Sequence, residues 1–97
     1  MATFITYAKW TQKGAENIRE SPARLDKFRA ILKSNGGSLK DFYMVTGRYD
    51  MVLVTEADNA EVIAKTVLMT ASGGSVSTET VQAFTEAEYR KIIGSLP

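Results

Sequence analysis

The sequence predicts an α+β fold: a four-stranded antiparallel sheet with two helices on one face and a further helix at the C-terminus. Three observations carry this. Apolar periodicity alternates between period two and a helical period in the order strand, helix, strand, strand, helix, strand. The pairs Gly36-Gly37 and Gly73-Gly74 stand where a helix must give way to a strand. The 97 residues suit one such unit, so a single domain spanning 1–97 is expected.

Thr3 to Trp10 mixes aromatic, β-branched and Ile residues and reads as the first strand. Thr11 is placed to cap a helical turn reaching Asn17. Ser21-Pro22 marks a helix start, with a capping hydroxyl followed by a Pro whose missing N–H is of no consequence there. Leu25, Phe28, Ile31 and Leu32 share one face of that helix. Leu39 to Thr46 is the second strand, Gly47-Arg48 a short turn, and Tyr49 to Glu56 the third strand of a hairpin. Asp58 and Glu61 have the spacing of a capping box, which opens a helix to about Ala71 with Ile63 and Val67 on its apolar stripe. Ser75 to Phe84 is the fourth strand, rich in Thr and Val. Thr85 and Glu88 form a second capping box, and Tyr89, Ile92, Ile93 and Leu96 give the last helix one face expected to be buried.

The βαββαβ order is that of the split βαβ, or ferredoxin-like, plait. Right-handed crossovers put both main helices on one sheet face. Met51 and Leu53 then point one way, and Val52 and Val54 the other. A sheet with one wet face alternates apolar and polar more cleanly. Burial on both faces is therefore expected, with a second copy of the chain as the simplest cover.

Composition narrows the chemistry. The chain has no Cys and no His, so thiolate nucleophiles, disulfides, Cys-ligated metal and His-based catalytic pairs are excluded. The acids Asp41, Asp50, Glu56 and Glu79 lack a metal-loop spacing, so no metal site and no cofactor are expected. A net charge of +1 favours neither nucleic acid nor a membrane surface. The first 50 residues carry nine Lys and Arg against five acids, and the rest three against six. No signal peptide or membrane-length apolar run is evident, so the expected location is cytoplasmic.

Gly47-Arg48-Tyr49-Asp50 is the densest local signal. Its structural account is a Gly turn, an aromatic packed at the sheet edge and an Asp accepting backbone N–H bonds. Its functional account is a small ligand meeting the Gly47 backbone beside Tyr49 and Asp50. Antiparallel pairing of strands one and three brings Lys9 and Trp10 toward Tyr49 and Asp50. Arg24, a cation in the first turn of a helix, opposes the dipole and calls for a partner such as Asp26, Asp50 or a bound anion. Ser77, Thr78 and Thr80 present hydroxyls from the fourth strand. The expected ligand-binding set is thus Lys9, Trp10, Arg24, Gly47, Tyr49, Asp50, Thr78 and Thr80.

Gly47, Tyr49 and Asp50 make a Gly-x-Tyr-Asp element, and with it the chain resembles the GYD-domain family. The resemblance extends to Lys9-Trp10-Thr11 with Gly14, Ser21-Pro22-Ala23-Arg24-Leu25, Asp41-Phe42-Tyr43, Thr78-Glu79-Thr80 and Ala83-Phe84-Thr85. Arg48 stands where the usual element has Glu. The resemblance implies a ferredoxin-like fold in dimeric α+β barrels and does not imply an activity. Thr46 to Leu53 is also locally similar to the hairpin of the Lrp/AsnC effector-binding domain, which binds amino acids or other small effectors at subunit interfaces.

These readings lead to an oligomeric small-molecule-binding or sensing domain, with itself and an unknown small molecule as partners. The alternative is a cofactor-independent monooxygenase- or isomerase-like enzyme with Asp50 or Glu79 as base. RNA binding in the manner of an RRM fails at the third strand, where Asp50 and Met51 stand in place of stacking residues.

Overall fold

The computed structural model describes residues 1–97. Its elements are β1 (Ala2–Trp10), α1 (Gln12–Glu16), a 3-10 turn (Ile18–Glu20), α2 (Ser21–Ser34), β2 (Ser38–Met44), β3 (Met51–Ala57), α3 (Ala60–Ala71), β4 (Val76–Ala83) and α4 (Glu86–Gly94). The four strands form one antiparallel sheet in the order β2-β3-β1-β4. This is the ferredoxin-like α+β arrangement.

Strand register sorts the side chains. On the helix-facing side the rows across β4, β1, β3 and β2 run Gln82–Phe4–Thr55–Leu39, Thr80–Thr6–Leu53–Phe42 and Thr78–Ala8–Met51–Met44. Phe4, Ala8, Met51 and Leu53 from these rows form the core with Phe28 and Leu32 of α2, Ile63 of α3 and Ala57. Burying a side chain the size of Phe28 or Leu32 stabilises by roughly 1.5–3 kcal/mol. On the other side the rows run Val81–Ile5–Val54–Asp41 and Glu79–Tyr7–Val52–Tyr43. No element of the chain lies on this second side, so its apolar rows are open.

Several element boundaries differ from expectation for physical reasons. The β2–β3 connection is longer than a two-residue turn and runs from Val45 to Asp50, so Tyr49 and Asp50 lie in a loop rather than on a strand. Ser21 does not cap α2. Its Oγ accepts the Trp10 indole N–H at 3.2 Å, and the helix continues from the preceding 3-10 turn. The cap of α3 is Asn59, whose side chain accepts the Val62 N–H, instead of Asp58. Gly36 and Gly74 take φ values of 91° and 77°, the left-handed exits that helix ends require.

The Thr85–Glu88 capping box forms in both directions. The apolar face of α4, expected to be buried, does not reach the core: Tyr89, Ile92 and Ile93 are exposed, and so is Leu96, at 61%, which lies past the helix end at Gly94. The molecule measures 52 Å by 31 Å by 17 Å. The radius of gyration, 14.6 Å, exceeds the ~13 Å of a compact chain this long. Amphipathic patterning sets the apolar stripe, but the chain alone supplies no surface to cover it. No helix is long and apolar enough to cross a membrane.

Candidate functional site

The loop between β2 and β3 is pinned to the end of β1. The Asp50 amide donates to the Ala8 carbonyl at 2.9 Å, and its carboxylate Oδ2 accepts the Trp10 amide at 3.0 Å. The Val45 amide donates to the Asp50 carbonyl, also at 2.9 Å. Asp50 therefore continues the ladder past the last paired residues, with its side chain standing in for a backbone acceptor. It makes no ion pair with Lys9.

This anchoring delivers Tyr49 onto the open side of the sheet. Its ring lies 4.9 Å from that of Tyr7, tilted by 35°. Its hydroxyl donates to Glu79 Oε1 at 2.9 Å. The Lys9 ammonium and the Arg48 guanidinium each approach the Tyr49 ring at 5.9 Å, within cation–π range. The Glu79 hydrogen bond raises the Tyr49 phenol above its ordinary 10.0, assisted by desolvation and the Glu79 charge, while Arg48 acts in the opposite direction. At neutral pH this phenol is a donor, not a base. A recess of about 200 Å³ lies among Tyr7, Lys9, Arg48, Tyr49, Ser77 and Glu79, with Thr78 at its border.

The helix-facing side of the sheet holds the other expected residues. Trp10 packs on the core, and its indole holds Ser21 at the start of α2. Arg24 donates through Nη1 to the Asn17 carbonyl at 3.1 Å and through Nη2 to the Gly14 carbonyl at 3.4 Å. Its nearest carboxylate is Glu20 at 3.8 Å, whereas Asp26 pairs with Arg29. Arg24 Nε is buried and has no partner, a state that costs about 1–3 kcal/mol for an ordinary buried donor. Thr80 and Thr6 share a hydroxyl–hydroxyl hydrogen bond of 2.8 Å. Gly47 is exposed at the loop tip, with open space where a Cβ would stand.

The expected set is thus divided by the sheet. Lys9 and Tyr49 come together on the open side, while Trp10, Arg24, Thr78 and Thr80 lie on the helix side. Asp50 joins the two by bonding, and Gly47 joins neither. Tyr7 and Arg48 belong to the open-side recess and are missing from that set, while Ser77 enters only as a fourth-strand hydroxyl and Glu79 only as a candidate base. The signal for Tyr7 is the strand register, which places it opposite Glu79.

A GYD domain family model matches residues 4–93. The chain belongs to the GYD domain family. A Thermus thermophilus relative named "Glutamine synthetase and cystathionine beta-lyase binding protein" is 37% identical over 89 residues, covering 91% of this chain and 94% of that protein. Among solved structures, a feast or famine regulatory protein from M. tuberculosis complexed with L-methionine superposes with a TM-score of 0.66 at 14% identity, over 88% of this chain and 51% of that one. The chain thus spans about half the length of that regulator. The protein TTHA0845 from Thermus thermophilus gives a TM-score of 0.55 at 21% identity, over 88% of this GYD chain and 95% of that one. These structural likenesses establish a common fold.

Proposed function

We propose that this GYD chain is a self-associating binding module. Two copies pack open sheet face to open sheet face into a dimeric α+β barrel, and the Tyr49–Glu79–Lys9 recess at the rim takes a small polar molecule. The observation that carries the reading is the pair of bare rows Val81–Ile5–Val54 and Tyr7–Val52–Tyr43. Contiguous apolar surface of this kind marks an interaction face. The relative named as a binding protein supports binding over turnover. So does the bonding of the two candidate bases: Asp50 holds the Trp10 amide and Glu79 holds the Tyr49 hydroxyl. We place the module in the cytoplasm as part of the same reading.

A second reading takes an enzyme as the partner, in line with the relative's name. The bare stripe Tyr89, Ile92 and Ile93 on α4, with Leu96 just past its end, favours it, because an amphipathic helix can enter an apolar groove of another protein. Native mass spectrometry of gently purified protein, followed by a denaturing spectrum, tests the first reading. A dimer or its multiple with a retained small molecule is the expected result. A monomer without adduct overturns self-association and directs attention to α4 and a hetero-partner.

A further inference from the structure

The two open-side register rows nearest the end of β1 are Glu79–Tyr7 and Ser77–Lys9. They line the recess together with Arg48 and Tyr49 of the β2–β3 loop. The one carboxylate of the recess, Glu79, accepts the Tyr49 hydroxyl through Oε1. Its two cations have no such partner. Arg24, Arg29, Lys40, Lys65 and Arg90 each approach a carboxylate, whereas Lys9 and Arg48 neither pair with an acid nor donate a hydrogen bond within the chain. Both instead approach the Tyr49 ring, each at 5.9 Å. Lys9, Arg48, Ser77 and Glu79 are all exposed, so a solute can reach them. Ser77–Lys9 is the last open-side row before β1 ends at Trp10. The recess therefore lies at the margin of the face and stays accessible when the rows nearer the middle are covered.

We propose that this recess binds a small phosphate monoester that carries a hydroxyl group. The inference rests on the reading of the recess as a polar small-molecule site and names the class of its ligand. A phosphate monoester carries about two negative charges at neutral pH, which Lys9 and Arg48 match. An ammonium binds phosphate as a point charge and a guanidinium as a fork, and such charge-assisted bonds are stronger than neutral ones. A single carboxylate would leave one cation unneutralised. Ser77, beside Lys9, adds a hydroxyl that can donate to the phosphate. Glu79 orients the ligand. It repels the phosphate, and its lone pairs beyond the one that Tyr49 uses accept from the ligand hydroxyl. A dicarboxylate would set its second charge against Glu79. The recess holds about 200 Å³, less than the ~300–1,000 Å³ of pockets that take drug-sized ligands, so the ligand is smaller than a nucleotide.

Isothermal titration calorimetry of the full chain at constant ionic strength compares glycerol phosphate, inorganic phosphate, alanine and glycerol. Glycerol phosphate is expected to give saturable heat, with inorganic phosphate and alanine each weaker by about tenfold or more and glycerol silent. Lys9→Gln and Arg48→Gln are each expected to weaken glycerol phosphate by about tenfold. Lys27→Gln, which removes a cation of the helix side, is expected to leave its affinity unchanged. All three side chains are exposed or half-buried and unbonded within the chain, so the variants keep the fold. Equal binding of inorganic phosphate or alanine, an equal loss in Lys27→Gln, or no saturable heat from glycerol phosphate overturns the proposal. The broader reading is judged separately. A dimer that retains a different small molecule in native mass spectrometry keeps it, and a dimer that carries no adduct and ignores all four solutes ends both.

Discussion

Asp50 closes the end of β1 by accepting the Trp10 amide at 3.0 Å while donating its own amide to the Ala8 carbonyl at 2.9 Å. The carboxylate that sequence reasoning singles out as a possible base is thus a fastener between β1 and the loop that carries Tyr49. Asp50→Ala removes a charged acceptor from a partly buried amide and is expected to destabilise by about 1–3 kcal/mol. Asp50→Asn keeps an acceptor oxygen and is expected to lose under ~1 kcal/mol. Urea unfolding of the two variants measures the difference, and equal losses would remove the fastening role.

Gly14 lies against the backbone of Ser75, and a Cβ there would collide with the Ser75 carbonyl oxygen. That oxygen also accepts the Thr11 amide at 3.0 Å, so it cannot easily move away. Gly14→Ala is expected to cost about 1–3 kcal/mol by overpacking. Gly47→Ala meets open space and is expected to change stability by less than about 0.5 kcal/mol. Parallel thermal melts check the contrast, which separates two glycines that look alike in sequence.

The sheet was legible because strand periodicity puts Met51 and Leu53 on one face and Val52 and Val54 on the other, although four apolar residues do not say which face meets the helices. The capping box at Thr85 and Glu88 was legible for a similar reason: the bonds join residues three apart. What escaped depends on distant partners. Ser21 has the right residue type and place for a cap, but Trp10 engages its hydroxyl across the fold. Asp58 and Asn59 are adjacent and both suited to capping, and only backbone geometry selects Asn59. The single cleft expected for eight residues became two because consecutive strand residues face opposite sides: Lys9 and Trp10 are neighbours in sequence and are separated by the sheet.

The Tyr49–Glu79 hydrogen bond has a titration signature. The carboxylate stabilises the neutral phenol, so Tyr49 loses its proton above its ordinary pH. Glu79→Gln removes the negative charge and the strong acceptor, and the Tyr49 pKa is expected to fall toward its ordinary value. Phenolate absorbance, compared with Tyr49→Phe to isolate this residue, follows the change. An unaltered curve in Glu79→Gln would show that the pair does not persist in solution.

Glu88 supplies a pH test of α4. The Thr85 backbone N–H, followed by the Thr85 hydroxyl, holds its carboxyl below the usual value. A group with a depressed folded-state pKa contributes stability above its unfolded value and loses it as pH falls through the folded value. The helix content of α4 is therefore expected to decline in acid, with the decline reduced in Glu88→Gln. Circular dichroism of the two proteins across the acidic range detects it. Identical acid profiles would assign the loss of helix to other carboxylates.

The open sheet face yields the sharpest mutational contrast. Val52 stands between Tyr7 and Tyr43 in one of the bare rows, pointing away from the core. A Lys there disturbs no core contact within the chain, yet it places a charge in the middle of any sheet-to-sheet contact, where desolvating it is costly. Val52→Lys is expected to be monomeric with strand content unchanged. Leu68 is equally apolar and 69% exposed, but it belongs to α3 on the far side of the sheet. Leu68→Lys is expected to assemble as the unsubstituted chain does. Sedimentation analysis of the pair decides whether the open face or the helix layer is the surface of assembly, since only the open face requires the two variants to differ.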